Sequence, residues 1–76
     1  MENIRDEDIQ DNTVKLCEAC GDGDIEVVEE ILGNKEVNLN GCDSDGNTPL
    51  VCAVIRGRLH IVRRLLQHPE VDILIL

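Results

Sequence analysis

Four cysteines, Cys17, Cys20, Cys42 and Cys52, are the residues of this chain best equipped for chemistry. Thiolates bind zinc, and Cys17-x-x-Cys20 has the spacing at which two of them reach one ion from adjacent turns. The other half of such a site would have to be Cys42 and Cys52, and the nine residues between them match no standard zinc knuckle. His60 and His68 are the spare nitrogen ligands, but both lie in a later segment. Packing explains the cysteines more simply: Cys20 and Cys52 are small core residues beside Ala19 and Ala53, Cys17 is partly exposed on a helix, and Cys42 lies on a loop. No metal ligand is assigned on this reading. A disulfide is not expected, because the acidic stretch Met1–Asp8 has no apolar signal region and thiols of cytosolic proteins stay reduced.

Other chemistries fare no better. Asp43-Ser44-Asp45-Gly46 has the look of a calcium loop, whose glycine is position 6 and whose bidentate glutamate is position 12. With Gly46 at the sixth position, Gly41 and Cys52 occupy the first and twelfth, so both essential ligands are missing. Gly21-Asp22-Gly23 is too short to cradle a phosphate and follows a helix pattern, not a strand. His60 is expected on a solvent-facing helix side, and no cysteine–histidine pair converges for nucleophilic catalysis. The chain is therefore expected to be a non-enzyme, with no catalytic, cofactor-binding or metal residues.

Composition narrows the partners. The 76 residues carry 16 acids and 7 Lys or Arg, for a net charge of −9, and contain no Phe, Tyr or Trp. Such a chain repels phosphates and has no ring on which a base could stack, so nucleic acid is not an expected ligand. No run approaches the ~18 apolar residues of a membrane span. One small domain is the upper limit, with a marginal core. The charge is also polarised: residues 1–12 sum to −4, residues 13–46 to −7 and residues 47–76 to +2.

An internal repeat organises these features. A shift of 34 residues aligns Leu16 with Leu50, Ala19 with Ala53, Gly23 with Gly57, Val28 with Val62 and Leu32 with Leu66. Each copy reads as helix, tight turn, helix. Leu16, Ala19 and Cys20 form one apolar stripe, and Ile25, Val28, Ile31 and Leu32 form the next, with Asp24 as its cap. In the second copy Thr48 is the N-cap and Pro49 the first helical residue. Leu50, Ala53 and Val54 are expected inward, Gly57 turns the chain, and Leu59, Val62, Leu65 and Leu66 are the expected second stripe. Residues 38–47 are rich in turn formers and read as an exposed, hairpin-like loop. Under the same shift Asp22, Asp24, Glu29 and Glu30 align with Arg56, Arg58, Arg63 and Arg64, so ion pairs between copies are expected, Glu29 and Glu30 with Arg63 and Arg64 foremost.

Asp45-Gly46-Asn47-Thr48-Pro49-Leu50, followed by Ala53, Gly57, Leu59-His60-Ile61-Val62 and Leu65-Leu66, resembles the ankyrin repeat, with its T-P-L-H-x-A pattern on a period of ~33 residues. The resemblance covers about residues 13–73. It implies an all-α solenoid of stacked helix-turn-helix repeats joined by a β-turn loop: an acidic segment 1–12, a first repeat over 13–41 and a second over 42–76. The first copy has Val14-Lys15 where the second has Thr48-Pro49, as in an N-terminal repeat of an array. Val51 stands where the family has His, which removes hydrogen bonds to neighbouring loops and predicts a looser junction. The apolar tail Leu74-Ile75-Leu76 in place of a polar cap suggests a piece of a longer array.

The resemblance also implies an intracellular, non-catalytic module that binds another protein. The family's binding surface maps onto loop-tip positions Cys42, Asp43, Ser44, Asp45 and Asn47. It adds helix-face positions Val51, Ile55 and Arg56, with Cys17, Glu18 and Asp22 in the first copy. Thr48, Pro49, Leu50, Ala53, Gly57 and Gly23 are the structural positions. Self-association, head to tail through the second repeat, is the alternative.

Overall fold

The computed structural model describes residues 5–34 and 36–72, with Asn34 described for its backbone only. The apolar tail Leu74-Ile75-Leu76 lies outside the described residues. Four helices follow in order: α1 (Asp6–Asp22), α2 (Ile25–Asn34), α3 (Pro49–Ile55) and α4 (Leu59–Leu66), with no strand among the described residues. Helices α1 and α2 form the first unit, α3 and α4 the second, and the units stack chiefly through α1 against α3.

Local chemistry sets most boundaries. Asp6, Glu7 and Asp8 fill the first turn of α1, where carboxylates complement the helix dipole. The helix ends at Gly23, whose φ of 77° belongs to the left-handed region that lets Gly23 and Asp24 N–H groups bond back to the Cys20 and Ala19 carbonyls. A side chain at Gly23 would also meet Arg58 Cδ at 3.0 Å. Asp24 caps α2, its Oδ1 accepting the Val27 N–H at 3.3 Å. Thr48 Oγ1 caps α3 by accepting from Val51 N at 3.2 Å, with Pro49 opening the helix as expected.

Helix α1 runs unbroken through residues 6–12 of the expected acidic lead. Polar side chains of this part tie it to the loops. Gln10 Nε2 donates to Cys42 O at 3.1 Å, and Asn12 Nδ2 donates to Glu36 O at 2.8 Å. Thr13, fully buried, donates to Ile9 O at 2.8 Å and accepts from Asn38 N at 3.1 Å. Asn40 continues the series, donating to Glu70 O at 2.8 Å and accepting from Asp72 N at 2.7 Å.

The core is Leu16, Ala19, Cys20, Val28, Ile31, Leu39, Leu50, Ala53, Ile61 and Leu65. Ile25, Leu32 and Val62 pack against it half-buried, but three expected inward residues, Val54, Leu59 and Leu66, are exposed, while Ile61 is fully buried. The repeat explains the exchange. In the first copy Cys20 and Val28 are fully buried and Ile25 and Leu32 half-buried, on the side that receives the second copy; their equivalents Val54, Val62, Leu59 and Leu66 lie on the side that points away from the first. Val27 and its equivalent Ile61 do the reverse, 37% exposed in the first copy and 0% in the second. Each unit thus has a leading and a following apolar side, and the single junction covers one of each.

Ile61→Ala is expected to destabilise the chain by about 2–5 kcal/mol, and Leu59→Ala by less than about 0.5 kcal/mol. Urea titration of both variants checks this, and equal losses would contradict the assignment of sides.

Candidate functional site

Loop 38–47 is shaped by Asp43. Its Oδ1 accepts the N–H groups of Asp45 and Asn47, each at 2.9 Å, while its own N–H bonds Asn47 O at 2.9 Å and its carbonyl accepts from Gly46 N at 3.1 Å. The turn closes on Gly46 at φ 83°. The backbone N–H donors, that of Asn47 foremost, hold the Asp43 carboxyl below the usual carboxylate range against a smaller opposing effect of desolvation.

This loop, α1 and the C-terminal half of α3 enclose an open groove of about 400 Å³. Eight of the eleven expected binding positions line it, all except Cys42, Ser44 and Val51. Glu18, Asp22, Asp45, Ile55 and Arg56 are exposed along it, while Asp43 and Asn47 are half-buried. Cys42 and Ser44 are exposed on the loop, and Val51 is half-buried on α3. Cys17 differs from expectation. It is 1% exposed, because α1 packs against α3 and the loop, and its thiol donates to Asn47 O at 3.5 Å. It forms the floor of the groove and not an outward contact.

Cys52, expected as a small packing residue, is half-buried at the same floor and donates to Asp43 Oδ2 at 3.6 Å. Sulfurs of Cys17 and Cys52 and a carboxylate oxygen of Asp43 lie within 4.8 Å of one another. The Cys17-x-x-Cys20 pairing is not what meets there: Cys20 is buried in the core. Nor does either histidine join. His60, exposed as expected, bonds Gly23 O at 3.1 Å, and His68 Nδ1 accepts from Glu70 N at 3.2 Å. The signal that locates the triplet is the stacking of equivalent helices, since the 34-residue shift sets Cys17 opposite Val51, next to Cys52.

Burial governs the thiols. It pushes Cys17 far up, with help from Cys52 and Asp43. It pushes Cys20 up to about 12, and Cys52 up to about 11 with Asp43 adding to the effect. All three are protonated at neutral pH.

The second face of note surrounds Val27 and Ile31 on the leading side, an open depression of about 370 Å³ rimmed by Glu18, Asp22, Asp24 and Glu30 together with Lys15. Between the units, Arg64 Nε lies 2.8 and 2.9 Å from the two carboxylate oxygens of Glu29, one of the expected ion pairs. Arg58 Nε instead donates to Gly21 O at 2.9 Å.

Paired helices stacked side by side, with loops projecting from one edge over a groove, define the class of helical-repeat proteins. The family profile for ankyrin repeats (3 copies) matches residues 2–75, and the chain belongs to the ankyrin-repeat family. It is 42% identical over 59 residues to the palmitoyltransferase AKR1 of Debaryomyces hansenii, a match covering 75% of this chain and 7% of that protein. It is 38% identical over 55 residues to the BTB/POZ domain-containing protein 3 of Schizosaccharomyces pombe, covering 72% of this chain and 10% of that protein. The chain therefore spans a tenth or less of these relatives. No solved structure matches it. No helix among the described residues is long and apolar enough to cross a membrane.

The raised thiols give a pH signature. The folded chain holds these protons more tightly than the unfolded chain, whose thiols titrate near 9.0. Stability is full below about pH 9 and declines as pH rises toward the folded values, by about 1.4 kcal/mol per pH unit for each buried thiol. The urea midpoint is expected to be level from about pH 7 to about pH 8.5 and to fall steeply by about pH 10. A midpoint that does not fall over that interval contradicts the burial of Cys17 and Cys20.

Proposed function

We propose that this chain is a non-catalytic protein-binding module of an intracellular ankyrin-repeat protein, and that its partner docks in the groove between loop 38–47, α1 and α3. The carrying observation is that eight positions mapped from the family's binding surface converge on one cavity. Similarity to a palmitoyltransferase does not extend an acyl-transfer activity to this chain, because it touches only 7% of that protein.

The groove's chemistry defines the partner. Exposed Glu18, Asp22 and Asp45 surround one cation, Arg56, so a basic or N–H-rich segment fits, with Ile55 offering an apolar contact. Electrostatic steering of that kind makes association faster at low salt. Asp45→Lys combined with Asp22→Lys is the appropriate test, since both side chains are exposed whereas Asp43 holds the loop together. The double variant is expected to weaken capture of a partner by at least about tenfold and to flatten its salt dependence, while leaving the urea midpoint unchanged. Partners bound equally by both proteins at all salt concentrations would refute the groove.

A second reading, head-to-tail self-association, is favoured by the stacking geometry. Glu29 of the first unit meets Arg64 of the second, the position equivalent to Glu30. Repeating that relation between two molecules would set Arg63 of one against Glu30 of the next and cover Leu59 and Leu66 with the depression around Val27. Light scattering at two salt concentrations tests it: mass that grows with concentration at low salt and falls in high salt is expected, and a monomer throughout refutes it.

A further inference from the structure

We propose that Cys17, Cys52 and Asp43 form a zinc site at the floor of the groove, bridging the two repeat units. Cys17 belongs to α1, Cys52 to α3 and Asp43 to the loop that precedes α3, so an ion held by all three ties the first unit to the second. The ligand set is that of zinc, two thiolates and a carboxylate with one position left for water.

Three features of the geometry carry the assignment. The ligand atoms lie within 4.8 Å of one another, close enough for one ion to touch all three after small side-chain adjustments. The Cys52 sulfur and Asp43 Oδ2 are 3.6 Å apart, close to the ~3.5 Å edge of a tetrahedron with Zn–S of ~2.3 Å and Zn–O of ~2.0 Å. The Asp43 carboxylate is already oriented: Oδ1 is fixed by two backbone N–H donors, which aims Oδ2 at the cysteine. Such outer partners are what keep a ligating carboxylate in place.

The groove supplies the rest. Glu18, Asp22 and Asp45 line it, so a divalent cation is attracted to its mouth, and its open side admits the fourth ligand. The exchange balances as Zn²⁺ plus two thiols giving a zinc dithiolate and two protons released to solvent. The thiol protons that leave are those now donated to Asn47 O and Asp43 Oδ2. No oxidant or second metal is needed. The site differs from the Cys17-x-x-Cys20 pairing suggested by spacing, because Cys20 is sealed in the core.

The test uses the full reduced chain, dialysed against zinc and, separately, titrated with cobalt(II) as a spectroscopic probe. One zinc per chain is expected, with a higher melting temperature and a thiolate-to-cobalt charge-transfer band. Cys52→Ser and Asp43→Asn should each weaken binding at least about tenfold. The double variant Cys20→Ser, Cys42→Ser should keep the cobalt band. Should a variant unfold, alkylation of the unaltered chain gives the answer without substitution: zinc should slow iodoacetamide modification of Cys52 at least about tenfold and leave exposed Cys42 unaffected. Absence of stoichiometric zinc, a cobalt band that survives Cys52→Ser in a folded chain, or no zinc protection of Cys52 overturns the site.

Discussion

The structure depends on one junction, the stacking of α1–α2 against α3–α4. Neither unit can bury its own apolar surface. Each has helices with hydrophobic residues on more than one side, and no aromatic ring enlarges the core. Burial of Leu16, Cys20 and Val28 is completed by Leu50, Ala53, Ile61 and Leu65 from the other unit. A chain of this size buries only about 60% of its unfolded surface, less than a larger domain does, so the loss of any one of these contacts is a large part of its stability.

Polarity is the other consequence of that junction. A stack has a leading and a following side, and the charges follow the same division. Acids dominate the first unit and arginines the second, so the junction brings opposite signs together, as in Arg64 with Glu29. This pair is partly exposed and contributes only about 0–1 kcal/mol. Its larger effect is on register, since a shift between the units would separate Arg64 from Glu29 and place Arg58 away from Gly21 O.

The repeat, the helix pairs, the caps at Asp24 and Thr48 and the turns at Gly23 and Gly57 were legible in the sequence because each follows from residue type at a short range. Burial of particular residues was not. In α4, Leu59, Ile61, Val62, Leu65 and Leu66 form one broad apolar arc, and periodicity does not say which edge of it meets the preceding unit. Only the asymmetry of stacking selects Ile61 and exposes Leu59. The extension of α1 back to Asp6 was hidden for a different reason: the acidic stretch has no apolar stripe, and polar bonds from Gln10, Asn12 and Thr13 to the loops hold it. Most of the groove was legible through the family pattern, but Cys17 was not, because its burial comes from α3 and the loop, far away in sequence.

The loops show how a missing contact is offset. Val51 stands where the family's histidine would bond neighbouring loops, and a looser junction was expected. The described loops are nonetheless held by other side chains. Asn12 and Thr13 bond the segment at Glu36 and Asn38, Gln10 bonds Cys42, and Asn40 spans to Glu70 and Asp72. These are amide and hydroxyl groups bonding main-chain atoms, a set independent of the helix position that lost its imidazole. Helix stacking therefore sets the floor of the groove, this separate polar series ties the loops together, and the bonds of Asp43 Oδ1 to Asp45 N and Asn47 N set the rim. A substitution on the rim that spares those bonds alters the groove's surface chemistry without loosening the stack beneath it.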